Sequence, residues 1–272
     1  MGSLRIARVA LLCIVLLLIA LGGQIYLITR QGRLDFALIT AIQKDDTPGA
    51  IAALKEGADA NAVVKRKPSH SFWKILLDRW FDRSHRDPHP PTALLVALGD
   101  ASASEINKDD AKIINVLLEH GANPNAMDTE GYRPLQLAQE SGRLDIMRML
   151  LDHGANPDVS YPYGLNALDR AALWGDPNEI ELLLSRGANI NIRDQEGKTP
   201  LMYAVENQRE ENIRSFIAHH ADLQIKDPQG HTVLTRAQKD LAANIITSNH
   251  HTEDPGDVWR QIILMLKKAG AE

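Results

Sequence analysis

The chain has 272 residues, 44% of them apolar and 24% charged, with a net charge of −5. That is the balance of a folded protein with room for one large domain or two small ones, and it carries no global signal for nucleic acid. The one cysteine, Cys13, excludes an intrachain disulfide and a zinc site of the cysteine type.

The charge is unevenly spread. Residues 1–33 hold Arg5, Arg8, Arg30 and Arg33 and no acid, residues 65–86 carry a net +5, and the remainder sums to −14. A basic N-terminal side joined to an acidic remainder points to one end near anionic lipid. After an eight-residue tail, Val9–Ile28 forms a run of twenty residues in which Gln24 is the one strongly polar member. A helix of that length rises about 30 Å, the thickness of the hydrocarbon layer. Tyr26 stands near its end, as an interface anchor would.

Two readings compete for this run: an uncleaved signal anchor, and a signal peptide cleaved after Ala20-Leu21-Gly22. The apolar stretch continues to Ile28, which favours the anchor. Leu12 is bulky where a lipidation signal at Cys13 would want a small residue. The flanking Lys/Arg are nearly balanced, but a short basic tail before a first apolar run generally stays in the cytoplasm. The expectation is a single-pass membrane protein with its large domain on the extracytoplasmic side, the periplasm in a bacterium.

Further along, Ser71–Phe81 reads SFWKILLDRWF. At 100° per residue, Phe72, Trp73, Leu76, Leu77, Trp80 and Phe81 share about half of a helix, with Lys74, Asp78 and Asp82 opposite. Lys65-Arg66-Lys67 precedes the segment and Arg83 and Arg86 follow it. The pattern is that of a basic amphipathic helix. Three roles remain open for it: lying on a membrane surface, folding back onto its own domain, or contacting a partner.

From there the chain repeats itself. HGANPN at His120, HGANPD at His153, RGANIN at Arg186 and HHADLQ at His219 start 33 residues apart. GYRPL at Gly131, GLNAL at Gly164, GKTPL at Gly197 and GHTVL at Gly230 keep the same step. EGADANA around Gly57, PPTALLVAL from Pro90 and Lys268–Ala271 extend the series at both ends. These residues resemble the ankyrin repeat over about residues 34–272, in some six repeats with the first and last atypical. The resemblance implies an all-α solenoid of stacked helix-turn-helix repeats, here preceded by one transmembrane helix. Local signals agree: Thr199-Pro200 and Asp176-Pro177 are helix starts, with Glu179 at capping-box spacing, and Gly154 and Gly187 are helix ends. His220 stands where the helix-ending glycine is expected, and Asn166-Ala167 replaces Thr-Pro. Three insertions break the step: between Asn61 and Thr92 (which holds the basic aromatic segment 65–86), around residues 99–110, and around residues 247–257.

No GxSxG, GxGxxG, P-loop or HExxH occurs, so neither an enzyme nor a cofactor is expected. His85, His89, His219-His220 and His250-His251 read as solvated histidines rather than metal ligands. The resemblance implies protein binding through the fingers and first helices. On this chain that places Thr129, Glu130, Tyr132 and Glu140, then Pro162, Tyr163, Leu165, Leu173 and Trp174, on the binding side. Gln195, Glu196, Lys198 and Asn207, then Pro228, Gln229 and His231, continue the series. Tyr132, Tyr163 and Trp174 make its middle aromatic, as interface hot spots are. The alternative for Trp174 is packing against the next finger. Acids around the patch favour a partner with some basic surface. The functional expectation is a membrane-anchored module that binds another protein, as scaffold or inhibitor, with no nucleic acid and no small-molecule substrate. Its rival is a membrane-surface module that engages anionic lipid through 65–86.

Overall fold

The computed structural model describes residues 26–63, 91–99, 108–162, 164–247 and 256–271. Outside them lie residues 9–25 of the apolar run, the whole aromatic face of Phe72, Trp73, Leu76, Leu77, Trp80 and Phe81, Tyr163, His85, His89 and His250-His251. Among the described residues no helix is long and apolar enough to cross a membrane. The described secondary structure is helical, with one isolated antiparallel bridge between Val63 and Thr92. The chain divides into two compact units, Met1–Thr129 and Glu130–Glu272.

In the first unit, α1 covers 26–42 and turns back as α2, Thr47–Lys55, whose N-terminus is capped by the Asp46 carboxylate accepting from the Gly49 amide at 3.0 Å. The second pair is α3, Ala93–Gly99, and α4, Lys108–Glu119. Helix α4 packs on α2 as well as on α3, closing a core of Leu38, Ile42, Leu54, Leu94, Leu98, Ile114 and Leu117. The bridge between Val63 and Thr92 is extended by the Ala93 amide donating to the Ala62 carbonyl at 2.7 Å. The first insertion therefore leaves and re-enters across a closed stem, so the residues it adds do not separate the two helix pairs.

The second unit holds four pairs. They are α5, Pro134–Glu140, with α6, Leu144–Asp152; α7, Ala167–Trp174, with α8, Pro177–Ser185; α9, Pro200–Glu206, with α10, Glu210–Ala218; and α11, Val233–Thr247, with α12, Gly256–Lys268. First helices stack on first helices, α5 on α7 on α9 on α11, and α8 stacks on α10. Leu150, Leu168, Ala171, Leu183, Ala204, Phe216, Ala237 and Ile262 are fully buried between them. No pair has enough apolar surface of its own, so burial comes from neighbours.

The helix starts follow from their sequence. Thr199 accepts from the Met202 amide. The Asn166 exception keeps a cap: its side chain accepts from the Asp169 amide at 3.0 Å while the Asp169 carboxylate accepts from the Asn166 amide at 3.0 Å. Asp176 caps α8 through the Asn178 and Glu179 amides at 2.7 and 3.2 Å. The capping-box role expected of Glu179 is not filled, because its carboxylate turns to Gln139 of the preceding pair instead, at 3.1 Å.

The recurring Asn/Asp-x-Asn motif is a coupling between repeats. In each turn the first residue closes onto the amide two positions on, as Asn189 does with Asn191 at 3.0 Å and Asp222 with Gln224 at 2.9 Å. The second reaches the next repeat: Asn61 accepts from the Asn123 amide at 2.7 Å, Asp158 from Asn189 and Asn191 from Asp222, both at 2.9 Å. Gln224 continues the line by donating to the Gly270 carbonyl at 3.0 Å.

Gly154 and Gly187 end their helices at φ +87°, whereas His220 takes the equivalent place at φ +60°. Only glycine enters this region without a clash of Cβ against backbone, and a side chain there costs roughly 1 kcal/mol. His220→Gly is expected to raise the melting temperature, by about 0.5–1 kcal/mol of added stability. A thermal denaturation series checks this, and an unchanged or lower Tm would contradict it.

Candidate partner-binding face

Adjacent fingers of the second unit approach each other at glycines. A Cβ on Gly131 would lie 3.3 Å from Pro162, one on Gly164 3.3 Å from Gln195, and one on Gly197 3.0 Å from Pro228. Pro162, Gln195 and Pro228, expected as contact residues, are exposed but also form the surfaces on which neighbouring fingers rest. Arg193 ties two fingers directly, donating to the Gly197 carbonyl at 3.1 Å and to the Lys226 carbonyl at 2.8 Å.

Trp174 is the last residue of α7 and remains 60% exposed. Its ring carries the Arg170 guanidinium 5.5 Å from the centroid, one helical turn back. The backbone beneath it is fixed from the next repeat. Asn212 of α10 is buried and donates to the carbonyls of Ala171, Ala172 and Gly175 at 3.1–3.3 Å. Arg209 donates to the Leu173 carbonyl at 3.0 Å. An open indole on a rigid base is the arrangement in which aromatic contact area comes at low entropic cost.

Of the other expected contact residues, Leu173, Leu165 and Tyr132 are half-buried, and Glu130 and Glu140 are exposed. Thr129 is exposed at the end of the first unit. Glu196, Asn207 and Gln229 are exposed as well.

Two polar groups brace this face. In the first, the Tyr161 hydroxyl donates to the Gln139 side-chain oxygen at 3.0 Å, and the Gln139 amide donates to the Ala167 carbonyl at 2.9 Å and to Glu179. Burial raises the Glu179 carboxyl above its usual range, with the Gln139 hydrogen bond opposing. Gly175 leaves room for that carboxylate: a Cβ there would stand 2.8 Å from it and 2.8 Å from the Ala171 Cα. In the second, Lys198 lies 3.2 Å from Glu196 and 3.4 Å from Glu206, with its ammonium 5.1 Å from the Tyr203 ring centre. The Tyr203 hydroxyl donates to Asp194, and Arg236 of α11 pairs with both Glu206 and Asp227. His231 completes the group 3.5 Å from Asp227. Lys198 and His231 are thus engaged in linking the last two first helices and their fingers.

The sequence reading overlooked Arg170, Tyr203, Arg209 and Asn212. Arg170 was visible as a cation four residues before a tryptophan. Asn212 lies nearly forty positions from the carbonyls it serves, and nothing local marks it. Among the described residues no cluster of His, Cys, Asp or Glu is arranged to hold a metal.

Stacked helix pairs, fingers joined at glycines and a turn motif that bonds to the next repeat define a repeat protein built for binding. A family model described as ankyrin repeats (3 copies) matches residues 7–161, 100–194 and 168–249. The chain belongs to the ankyrin-repeat family. No curated protein matches it.

Asp169 has a pH signature. Its side chain is fully buried, and burial pushes its carboxyl up to about 7, with Asp194 of the adjacent finger raising it further and the Asn166 bonds opposing. A carboxyl raised in the folded state binds its proton more tightly there than in the unfolded chain. Its contribution is complete below the ordinary value of 3.8 and is lost as pH rises through about 7. Melting curves across that window are expected to fall with pH and to flatten in Asp169→Asn. Identical slopes for the two proteins would contradict the assignment.

Proposed function

We propose that this chain is a membrane-tethered binding protein that engages a partner protein through the face around Trp174, either holding its target at the membrane or covering the target's own working surface. The observation that carries this reading is the exposed indole on a fixed backbone, with the Arg170 guanidinium over its ring and half-buried Leu173 before it in the chain. Ankyrin-repeat proteins are typically interaction modules rather than enzymes. A large exposed aromatic backed by half-buried aliphatics is the makeup of an interface centre. The tether is the apolar run Val9–Ile28, with the repeats on the extracytoplasmic side; the length of the run and its basic flanks support it.

A second reading has one observation in its favour. The stem Val63–Thr92 follows Gly57, whose carbonyl accepts from Gln31 of α1 at 3.0 Å. The segment that leads into the stem thus starts beside Gln31, three residues past the apolar run, and the basic aromatic insertion beyond it would add a second, lipid-binding attachment.

Trp174→Ala is expected to weaken the complex by about 2 kcal/mol, close to thirtyfold in Kd. The measurement is a titration of full-length protein, in detergent or nanodiscs, against the partner recovered by crosslinking in the native membrane. Glu211→Ala, on the first turn of α10, is expected to leave the affinity unchanged. Equal affinities for wild type and Trp174→Ala would remove this face from the interface.

A further inference from the structure

The N-terminal half of α1 stands exposed. Residues 26–33 are all exposed, with Tyr26 and Leu27 at 60% and Ile28 at 55%. The C-terminal half of the same helix is core: Leu38, Ile39, Ala41 and Ile42 are buried. No loop separates the two halves, since helix runs unbroken over 26–42.

The helix has two sides of different character. At 100° per residue, Gln31, Asp35, Leu38 and Ile42 share one side, and this side meets the repeat. Asp35 accepts from the Asp59 amide at 3.0 Å and from Gln31 at 2.8 Å, and Gln31 also donates to the Gly57 carbonyl. Tyr26, Arg30 and Arg33 fall on the opposite side, and neither arginine meets a carboxylate among the described residues. Leu27 falls on the side of Gln31 and Leu38, so the outward side presents Tyr26 together with the two guanidinium groups, all three exposed.

We infer that Tyr26, Arg30 and Arg33 form a collar that binds the headgroups of anionic phospholipid, seating the first repeat rigidly on the bilayer. The inference rests on the membrane reading of Val9–Ile28 given above. The spacing supports it. Arg30 and Arg33 stand roughly 3 and 8 Å along the axis beyond Ile28, at 1.5 Å per residue. That brackets the headgroup layer, about 5–7 Å deep on each side of the hydrocarbon. Helical side chains lean toward the N-terminus, so both guanidinium groups tilt back toward the phosphates. Guanidinium is also the side chain best matched to phosphate oxygens. Arg5 and Arg8 cannot substitute, because the whole apolar run separates them from α1.

The test uses the full-length chain with Cys13→Ser and a fluorophore on Gly32→Cys, a position with open space for a side chain. The protein is reconstituted in phosphatidylcholine vesicles doped with either nitroxide-tagged phosphatidylserine or nitroxide-tagged phosphatidylcholine at equal mole fraction. The expected result is co-flotation with the vesicles, stronger quenching by the tagged phosphatidylserine, and loss of that preference in Arg30→Gln/Arg33→Gln. A label on Lys44→Cys, past the far end of α1, is expected to stay unquenched by both. Failure to float overturns the membrane reading and the collar together. Flotation with equal quenching by the two lipids overturns the collar and leaves the anchor standing. A preference that survives the double substitution overturns the assignment to these arginines.

Discussion

Each helix pair in this chain leaves an apolar side open until the next pair is laid upon it, and the rest of the structure follows from that dependence. Leu150, Leu183 and Phe216 are fully buried, each from a different second helix of the second unit. A single repeat would expose them. Stacking therefore needs a register, and the Asn/Asp turn supplies it with a side chain that closes its own turn and another that bonds to the following repeat's backbone. The same two small residues do both tasks, which is why they recur at a fixed step while most surface positions vary.

That register also fixes the geometry of the candidate binding face. Trp174 is held by donors from the next repeat, and its cationic neighbour sits one turn back on its own helix. The polar groups beneath the face cost stability only if left unsatisfied. Tyr161, Gln139 and Glu179 bond to one another across three elements, and Glu206 pairs with Lys198 and with Arg236 between the last two first helices. Rigid support under an exposed aromatic is the physical requirement for a hot spot, because little further order has to be imposed on binding.

Much of this was legible in the sequence, for reasons that differ by feature. The repeats, their helix starts and the strained His220 turn were readable because each depends on residues within a few positions of one another. The Asn166 cap was less plain: Thr-Pro is absent there, yet Asn with Asp169 three positions on is itself a capping pair. Glu179 misled for the opposite reason, since its local spacing suits a capping box while its carboxylate is claimed by Gln139, forty residues away. Lys198 was expected on a contact surface but is held by Glu196 and Glu206. Contacts between repeats join residues 30 to 40 positions apart, and no periodicity shows which side chain answers which.

On the proposed reading, the partner sits on the first-helix face beside Trp174. A photocrosslinking amino acid at exposed Asn207, at the end of α9, tests it in full-length protein in its own membrane, with the same group at exposed Glu211 on α10 as comparison. One discrete adduct is expected from position 207, disappearing in a Trp174→Ala background, and none from position 211. Adducts of equal yield from both positions, or an adduct at 207 indifferent to Trp174, would contradict it.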